Sequence, residues 1–477
     1  MKRRNFLALV GASAAGLSAC GGGYLRWKTP EAEFPLALPA LFDDIEKRTF
    51  EFFWDTTNPE NGLAPDRFPE APFCSVAAVG FALTSYPIGV EQAWITRAQA
   101  AQRTLATLKF LHNLKSGEQA TGVAGHRGFF YHFLDLQTGH REGDWVELSS
   151  VDTGLLLMGA LFAQSYFDRQ DPNERKIRAL AESLYRRVQW PWLQVRSPLL
   201  SMGWFPEKGF LEHDWVGYNE AMLVYVLALG SPSYPVQSNA WQAWTVSYAR
   251  TWGTFQGQQH LGFAPHFGHQ YSHCWIDFRG IQDAYMRAVG SSYFENSRRA
   301  SYAQQRYASE NSMRWKGYSD LVWGLSACDG PQAAFHPYLG DQREFRGYSA
   351  RGVAIVDSFD DGTLAPTAAL ASLPFAPELV IPTTHALHRQ FGEHGYGRYG
   401  FLDAFNPSFE YPGKLLTGKI VPEQGWFASD YLGIDQGPIL AMIANYRSDF
   451  IWRVMRKNPH IVRGLQRAGF KGGWLDG

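Results

Sequence analysis

The sequence predicts an all-α chain folded as an (α/α)6 toroid, with six inner and six outer helices around one axis. Three observations predict it. Amphipathic segments alternate with segments that are apolar nearly all round; there are six of each kind; and long connections rich in acids and tryptophans lead into the apolar ones. A helix without a polar face is buried on every side. A second layer of helices packed around it provides that burial.

The outer helices come first in the repeat. Leu41, Phe42, Ile45, Phe52 and Phe53 form an apolar stripe at helical spacing. Thr96 and Gln99 fit a capping box ahead of Leu105, Leu108, Phe110 and Leu111. A third helix opens at Asn173, with Ile177, Leu180, Leu184 and Val188 on one face and Glu174, Arg175, Lys176 and Arg186 elsewhere. Three more are predicted over 238–249, 295–308 and 377–391. The inner helices begin near Ser75, Asp152, Asn219, Gly280, Pro366 and Gln436, at intervals of 61 to 86 residues. In the third, Gly217-Tyr218-Asn219-Glu220 runs straight into ten apolar residues ending at Gly230, which suits a helix C-terminus. This places Glu220 at the N-terminal mouth of a buried helix, where a carboxylate either supports the helix end or does chemistry. The connections 114–150, 191–218 and 320–363 are long for a compact domain, and such loops usually carry function. They are expected to gather over the inner-helix N-termini.

The 477 residues have no Pro/Ser-rich linker inside the helical series, so residues 40–460 read as one catalytic domain and 461–477 as a C-terminal tail. Net charge is −1 and no long basic run exists, which excludes a nucleic-acid footprint. Lys2, Arg3 and Arg4 with Asn5-Phe6-Leu7 resemble a twin-arginine signal, and Leu17-Ser18-Ala19-Cys20 resembles a bacterial lipobox. Residues 1–19 are therefore expected to be removed, Cys20 to carry lipid, and 20–39, with Gly21-Gly22-Gly23, to act as a tether. The expected address is periplasmic and membrane-anchored, with the protein acting as a monomer. Cys74, Cys274 and Cys328 allow one disulfide at most. His266, His269 and His273 lie in a Gly- and aromatic-rich stretch without metal-ligand spacing, so neither metal nor cofactor is expected.

Acids recur at the predicted mouth, among aromatics. Glycosidic cleavage needs one protonated carboxyl for the leaving oxygen and a second carboxylate to activate water or attack. Glu220 is the candidate acid. Asp152 is the first candidate for its partner, followed by Glu147, Asp135 and Asp403. Candidate substrate-binding residues are the aromatics Trp145, Trp215, Tyr218, Trp275, Phe359 and Trp426, together with His273, Arg67, Arg279, Asp277, Asp283, Asp361 and Asp435.

Five segments carry a family resemblance. They are Glu147-Leu-Ser-Ser-Val-Asp-Thr-Gly, Tyr218-Asn-Glu-Ala-Met, Trp275-Ile-Asp-Phe-Arg-Gly, Asp360-Asp-Gly-Thr-Leu-Ala-Pro-Thr and Asp435-Gln-Gly-Pro. In this order they resemble the glucoamylase-like family, which includes bacterial endo-β-1,2-glucanases of glycoside hydrolase family 144. The family is similar to a domain of cyclic β-1,2-glucan synthases. The resemblance implies an (α/α)6 fold, metal-free cleavage of β-linked glucan, most of all β-1,2-glucan, and inversion at the anomeric carbon. Asp403, in Tyr399-Gly-Phe-Leu-Asp-Ala-Phe-Asn, also fits the family pattern. Two other readings remain open from the residues: a polysaccharide lyase on a helical toroid, and a glycan-binding lipoprotein without activity.

Overall fold

The structure, a computed structural model, describes residues 37–476. The export signature, Cys20 and most of the tether lie outside them. The chain is helix-rich. In order the helices are α1 (Ala40–Thr56), α2 (Val76–Glu91), α3 (Arg97–Asn113), α4 (Ser150–Tyr166), α5 (Pro172–Arg186), α6 (Met222–Gly230), α7 (Asn239–Thr245), α8 (Tyr248–Thr251), α9 (Ala284–Val289), α10 (Tyr293–Glu310), α11 (Pro366–Leu370), α12 (Pro377–Gly395), α13 (Gly433–Ser448), α14 (Phe450–Met455) and α15 (Pro459–Arg467).

The apolar and amphipathic helices divide as their sequences dictate. In α2 every residue from Val76 to Gly89 is buried, and in α6 every residue is. In α5 five residues of fifteen are buried, on one face. The capping box at Thr96 and Gln99 forms at the start of α3. α5 begins at Pro172 rather than Asn173, because the Asp171 side chain accepts the Asn173 and Glu174 N–H groups.

The buried helices pack on one another. α2 lies against α4 and α13; α4 also meets α6, and α13 meets α11. The α2–α4 contact is close because glycine stands on both sides. A Cβ on Gly80 would lie 2.3 Å from the Leu155 carbonyl oxygen, and one on Gly159 would lie 2.0 Å from the Gly80 oxygen. The amphipathic helices cover this layer: α1 on α2 and α13, α3 on α2, α5 on α4, α12 on α11.

The fourth buried segment differs from expectation. It does not start at Gly280. There the chain forms the short α9, in which only Met286 is buried. The interior position beside α6 and α13 is taken instead by two turns of 3-10 helix, His266–His269 and Tyr271–Cys274, all eight residues buried. This stretch is polar in sequence, but most of its polar groups find partners on other buried elements. His266 Nε2 lies 3.1 and 3.0 Å from the Ser301 and Ser372 hydroxyls, and His273 Nε2 lies 3.1 Å from that of Ser297. The predicted boundary at 460 also moves. It falls inside α15, which packs on α6, and Phe470 and Leu475 beyond it are buried in the same core. Residues 461–476 are thus part of the domain rather than a tail. Cys74, Cys274 and Cys328 are buried free thiols.

Short antiparallel pairs fix the long connections at the N-termini of the buried helices. Cys74–Ser75, leading into α2, pairs with Phe133–Leu134. Leu148–Ser149, leading into α4, pairs within Gly203–Phe205. Tyr431–Leu432, leading into α13, pairs with Arg67–Phe68. Three separate loops are thereby held at one end of the helix layer.

Overpacked cores lose typically ~1–3 kcal/mol, and more where backbone must move. Gly159→Val is therefore expected to reduce the unfolding free energy by at least that amount, read as a lower urea midpoint. An unchanged midpoint in urea would show that α2 and α4 do not depend on the close approach.

Candidate active site

Glu220 stands two residues ahead of α6. The Ser272 hydroxyl holds this corner, donating to the Glu220 carbonyl at 3.2 Å and accepting the Leu223 N–H at 3.1 Å. Asn219 Oδ1 takes the Ala221 N–H, and Tyr218 hydrogen-bonds His269 Nδ1 at 3.2 Å. Backbone is thus fixed on both sides of the acid. The helix N-cap is Ala221 and no side chain caps it, so Glu220 is not spent on the helix end. The residue is 7% exposed, and among the described residues Oε2 has no hydrogen-bond partner. Burial, with the charge of Asp152 adding to it, pushes its pKa up to about 7.

Asp152 lies in the first turn of α4, 4% exposed. Ser149, the α4 cap, donates from Oγ to Asp152 Oδ2 at 2.6 Å and accepts the Asp152 N–H. His132 reaches the same carboxylate, with Nε2 3.4 Å from Oδ1, and its Nδ1 is 2.9 Å from Glu147 Oε1. Among the described residues, His132, Glu147 and Asp152 form the group whose polar atoms, within 4.8 Å of one another, come close enough to share a small cation.

A second carboxyl group centres on Arg67. Its guanidinium lies 2.8 Å from Asp329, 3.3 Å from Asp430 and 3.4 Å from Asp66. Asp403 adjoins them, taking the Asp329 N–H on Oδ2 at 2.7 Å, and hydrogen-bonds Asp435 from the first turn of α13. Asp403 is 1% exposed, and among the described residues its Oδ1 has no partner. Burial and the charge of Asp329 push its pKa up to about 7. Tyr271 joins the two groups. Its buried phenol feels the charges of both Asp435 and Glu220, and burial first, then those charges, hold its proton on well above the ordinary pKa.

Of the residues singled out in the sequence, Glu220, Asp152, Glu147, Asp403, Asp435 and Arg67 come together here. Tyr218 braces the Glu220 corner, and most of the others are held by other partners. Asp135 forms a turn near the surface, accepting from the Gln137 and Thr138 N–H groups and the Thr138 hydroxyl, which holds its pKa below the usual range. Asp277 pairs with Arg279 and Arg456, and Arg279 also with Asp449. Asp449 is the C-cap of α13, sixteen residues and about 24 Å from the Asp435 end. Asp283 caps α9 and accepts from Trp241 and Tyr293. His273 packs among Phe278, Phe294 and Phe375.

The aromatics divide similarly, because burial claims most of them. Trp275 stacks on Phe81 and donates to Thr84. Trp215 is bonded to Ser150 and Trp426 to the Thr417 carbonyl. Tyr218 lies 3% exposed against Tyr293 and supports the Glu220 corner from inside. Asp361 makes a fully buried ion pair with Arg351. Phe359 is half-buried under the Arg346 guanidinium, 3.6 Å from its ring, and Trp145 is half-buried against Phe73 and Phe133. His132, Asp329, Asp430 and Tyr271 were not singled out. His132 is a lone histidine in an aromatic run, and Asp329 and Asp430 meet Arg67 only across more than 250 residues of chain.

A helix-rich domain with two buried carboxyl groups at one end of its apolar helices defines a candidate carbohydrate-active site. Residues 212–459, just over half of the chain, match the family model Glycoamylase, described as "Putative glucoamylase". The chain belongs to this family. It is 28% identical to an exo-β-1,2-glucooligosaccharide sophorohydrolase (non-reducing end) of Parabacteroides distasonis over 91% of its own length, and spans 58% of that relative. A "putative glucoamylase" of Bacteroides uniformis superposes with a TM-score of 0.77 at 29% identity, covering 93% of this chain and all of that one. A β-1,2-glucanase of Parabacteroides distasonis gives 0.76 at 26%, covering 91% of this chain and 60% of that one.

Glu220 carries a stability cost that its raised pKa predicts. The folded chain holds the carboxyl proton up to about pH 7, whereas the unfolded chain releases it near 4.5. The stability this gives is complete below 4.5 and is lost as pH rises through 7. At about 1.4 kcal/mol per pKa unit, Glu220→Gln is expected to be more stable than wild type by up to ~3 kcal/mol at pH 8, with the gain vanishing toward pH 4.5. Urea midpoints of both proteins across this range check it; a difference that does not change with pH contradicts the shift.

Proposed function

We propose that the chain is a glycoside hydrolase acting on β-1,2-linked glucan or its oligosaccharides, on an (α/α)6 arrangement of its helices. One observation carries the reading: Glu220 is a buried, fixed carboxyl with a raised pKa and an unbonded oxygen, facing the ionised Asp152 group. A glycosidic acid must hold its proton near neutral pH and have a free atom to deliver it from. The family match and the two β-1,2-glucan-degrading relatives support the linkage.

In this mechanism Glu220 passes its proton to the glycosidic oxygen as the bond from that oxygen to C1 breaks. Asp152 takes a proton from a water whose oxygen forms the new bond to C1 on the opposite face, so the product is inverted. Proton exchange with solvent resets the pair. Asp403 is a second reading for the base, favoured by its unbonded Oδ1 and its hydrogen bond to Asp435. We propose also that the protein is exported and tethered through a lipid on Cys20, on the strength of its N-terminal sequence.

The substrate is tested with linear β-1,2-glucan and sophoro-oligosaccharides beside starch and a uronic acid polymer. Turnover of the first two alone is expected; cleavage of starch or the uronic polymer without either of them would refute the assignment. Glu220→Gln is expected to lose ~10²–10⁴-fold in kcat/KM on the glucan, and much less on an aryl glycoside with a good leaving group. Replacing the base should impair both substrates alike. Asp152→Asn and Asp403→Asn, assayed on both, therefore decide between the two carboxylates.

Cell fractionation tests the anchor. Wild type is expected in the membrane pellet and Cys20→Ala in the soluble fraction; identical distribution of the two removes the lipid from the account.

A further inference from the structure

His132 stands between two carboxylates, with Nδ1 2.9 Å from Glu147 Oε1 and Nε2 3.4 Å from Asp152 Oδ1. Ionised carboxylates only accept hydrogen bonds, and a neutral imidazole has a single N–H. Both contacts are satisfied together only when the trio carries one further proton, and with both carboxylates ionised that proton sits on the ring as an imidazolium. The ring has little freedom to leave. The His132 N–H is bonded to the Glu147 carbonyl at 3.0 Å, and its own carbonyl takes the Val76 N–H, at the start of α2, at 3.2 Å. Phe133 stacks on the ring at 3.8 Å.

We propose that His132 is the positioning residue of the catalytic base: as an imidazolium clamped by Glu147, it keeps Asp152 ionised and aimed. The inference rests on the reading of Asp152 as base. Ser149 holds one Asp152 oxygen and His132 the other, so the carboxylate is fixed at both ends. The charged groups facing His132 are Glu147, ahead of the strand Leu148–Ser149, and Asp152, from α4; Glu220, ahead of α6, faces Asp152 in turn. With two anions and one cation, the trio keeps a net negative charge while Asp152 remains able to take a proton. Glu147 is then the group that keeps His132 charged, rather than the base. His132 keeps both N–H protons throughout the reaction.

Two readouts on the full chain test this. In histidine-labelled protein, with the signal assigned by its loss in His132→Gln, His132 is expected to titrate above the ordinary value near 6.5, and about one pH unit or more lower in Asp152→Asn. Without the adjacent cation Asp152 binds its proton more tightly. His132→Gln is therefore expected to move the acidic limb of the kcat/KM profile on β-1,2-glucan upward by about one pH unit, roughly tenfold in rate at acid pH. A merely structural histidine would lower Tm or kcat at every pH and leave the limb in place. Titration at or below 6.5, or an unmoved limb, overturns the proposal. A high titration in a chain whose Asp152→Asn variant turns over normally removes Asp152 as base, and the catalytic role of His132 with it, while the ion pair itself stands.

Discussion

The close approach of α2 and α4 through Gly80 and Gly159 sets the terms for the rest of the structure. Helices this near leave room only for small side chains between them, and their middles are mostly hydrocarbon, the hydroxyls of Thr84 and Ser85 in α2 being turned onto backbone carbonyls. Polar chemistry is displaced to the helix ends. At the N-terminal end, paired strands bring loops from distant parts of the chain together over α2, α4 and α13. Those loops and first turns hold the carboxyls. At the C-terminal end of α13, Asp277, Arg279, Arg456 and Asp449 neutralise one another in ion pairs. One end is therefore electrostatically closed, while the other retains acids in excess of cations.

That excess is what makes acid chemistry available near neutral pH. Glu220 has no basic partner among the described residues, and burial outweighs the opposing hydrogen bond from its own backbone N–H. Its place ahead of α6, outside the first turn, also lessens the pull of the helix dipole toward ionisation, which falls off within a turn. Arg67 must serve Asp66, Asp329 and Asp430 at once, so Asp403 retains its proton to higher pH than a solvated aspartate does. Glu220 and Asp403 are raised by the same route, desolvation combined with too few cations.

Periodicity made the amphipathic helices legible, because one face against a core leaves a stripe whatever the partner. It also made α2, α4, α6 and α13 legible, because uninterrupted apolar runs have nowhere else to go. It failed at His266–Cys274. That stretch is as buried as α6, but its three histidines, Gln270 and Ser272 make it read as a loop; only the partners Ser297, Ser301 and Ser372, on other elements, reveal why it can be inside. The site followed the same division. Acids at the starts of apolar runs, such as Glu220, Asp152 and Asp435, were visible from their position. Tryptophan near an acid proved a poor guide, since Trp275 and Trp426 serve the core. His132 and Asp329 acquire meaning only through partners that folding brings to them.

The packing of α15 on α6 has a consequence for how the chain is made. The segment behind Glu220 leaves the ribosome more than 200 residues before the helix that covers it, and until then α6 exposes an apolar flank. Contacts of such long sequence separation form late, and uncovered apolar surface in the interval invites aggregation. Truncations near residue 458 should therefore fail as insoluble protein rather than as soluble enzyme lacking activity, and yield in the cell will depend on chaperone capacity during that interval.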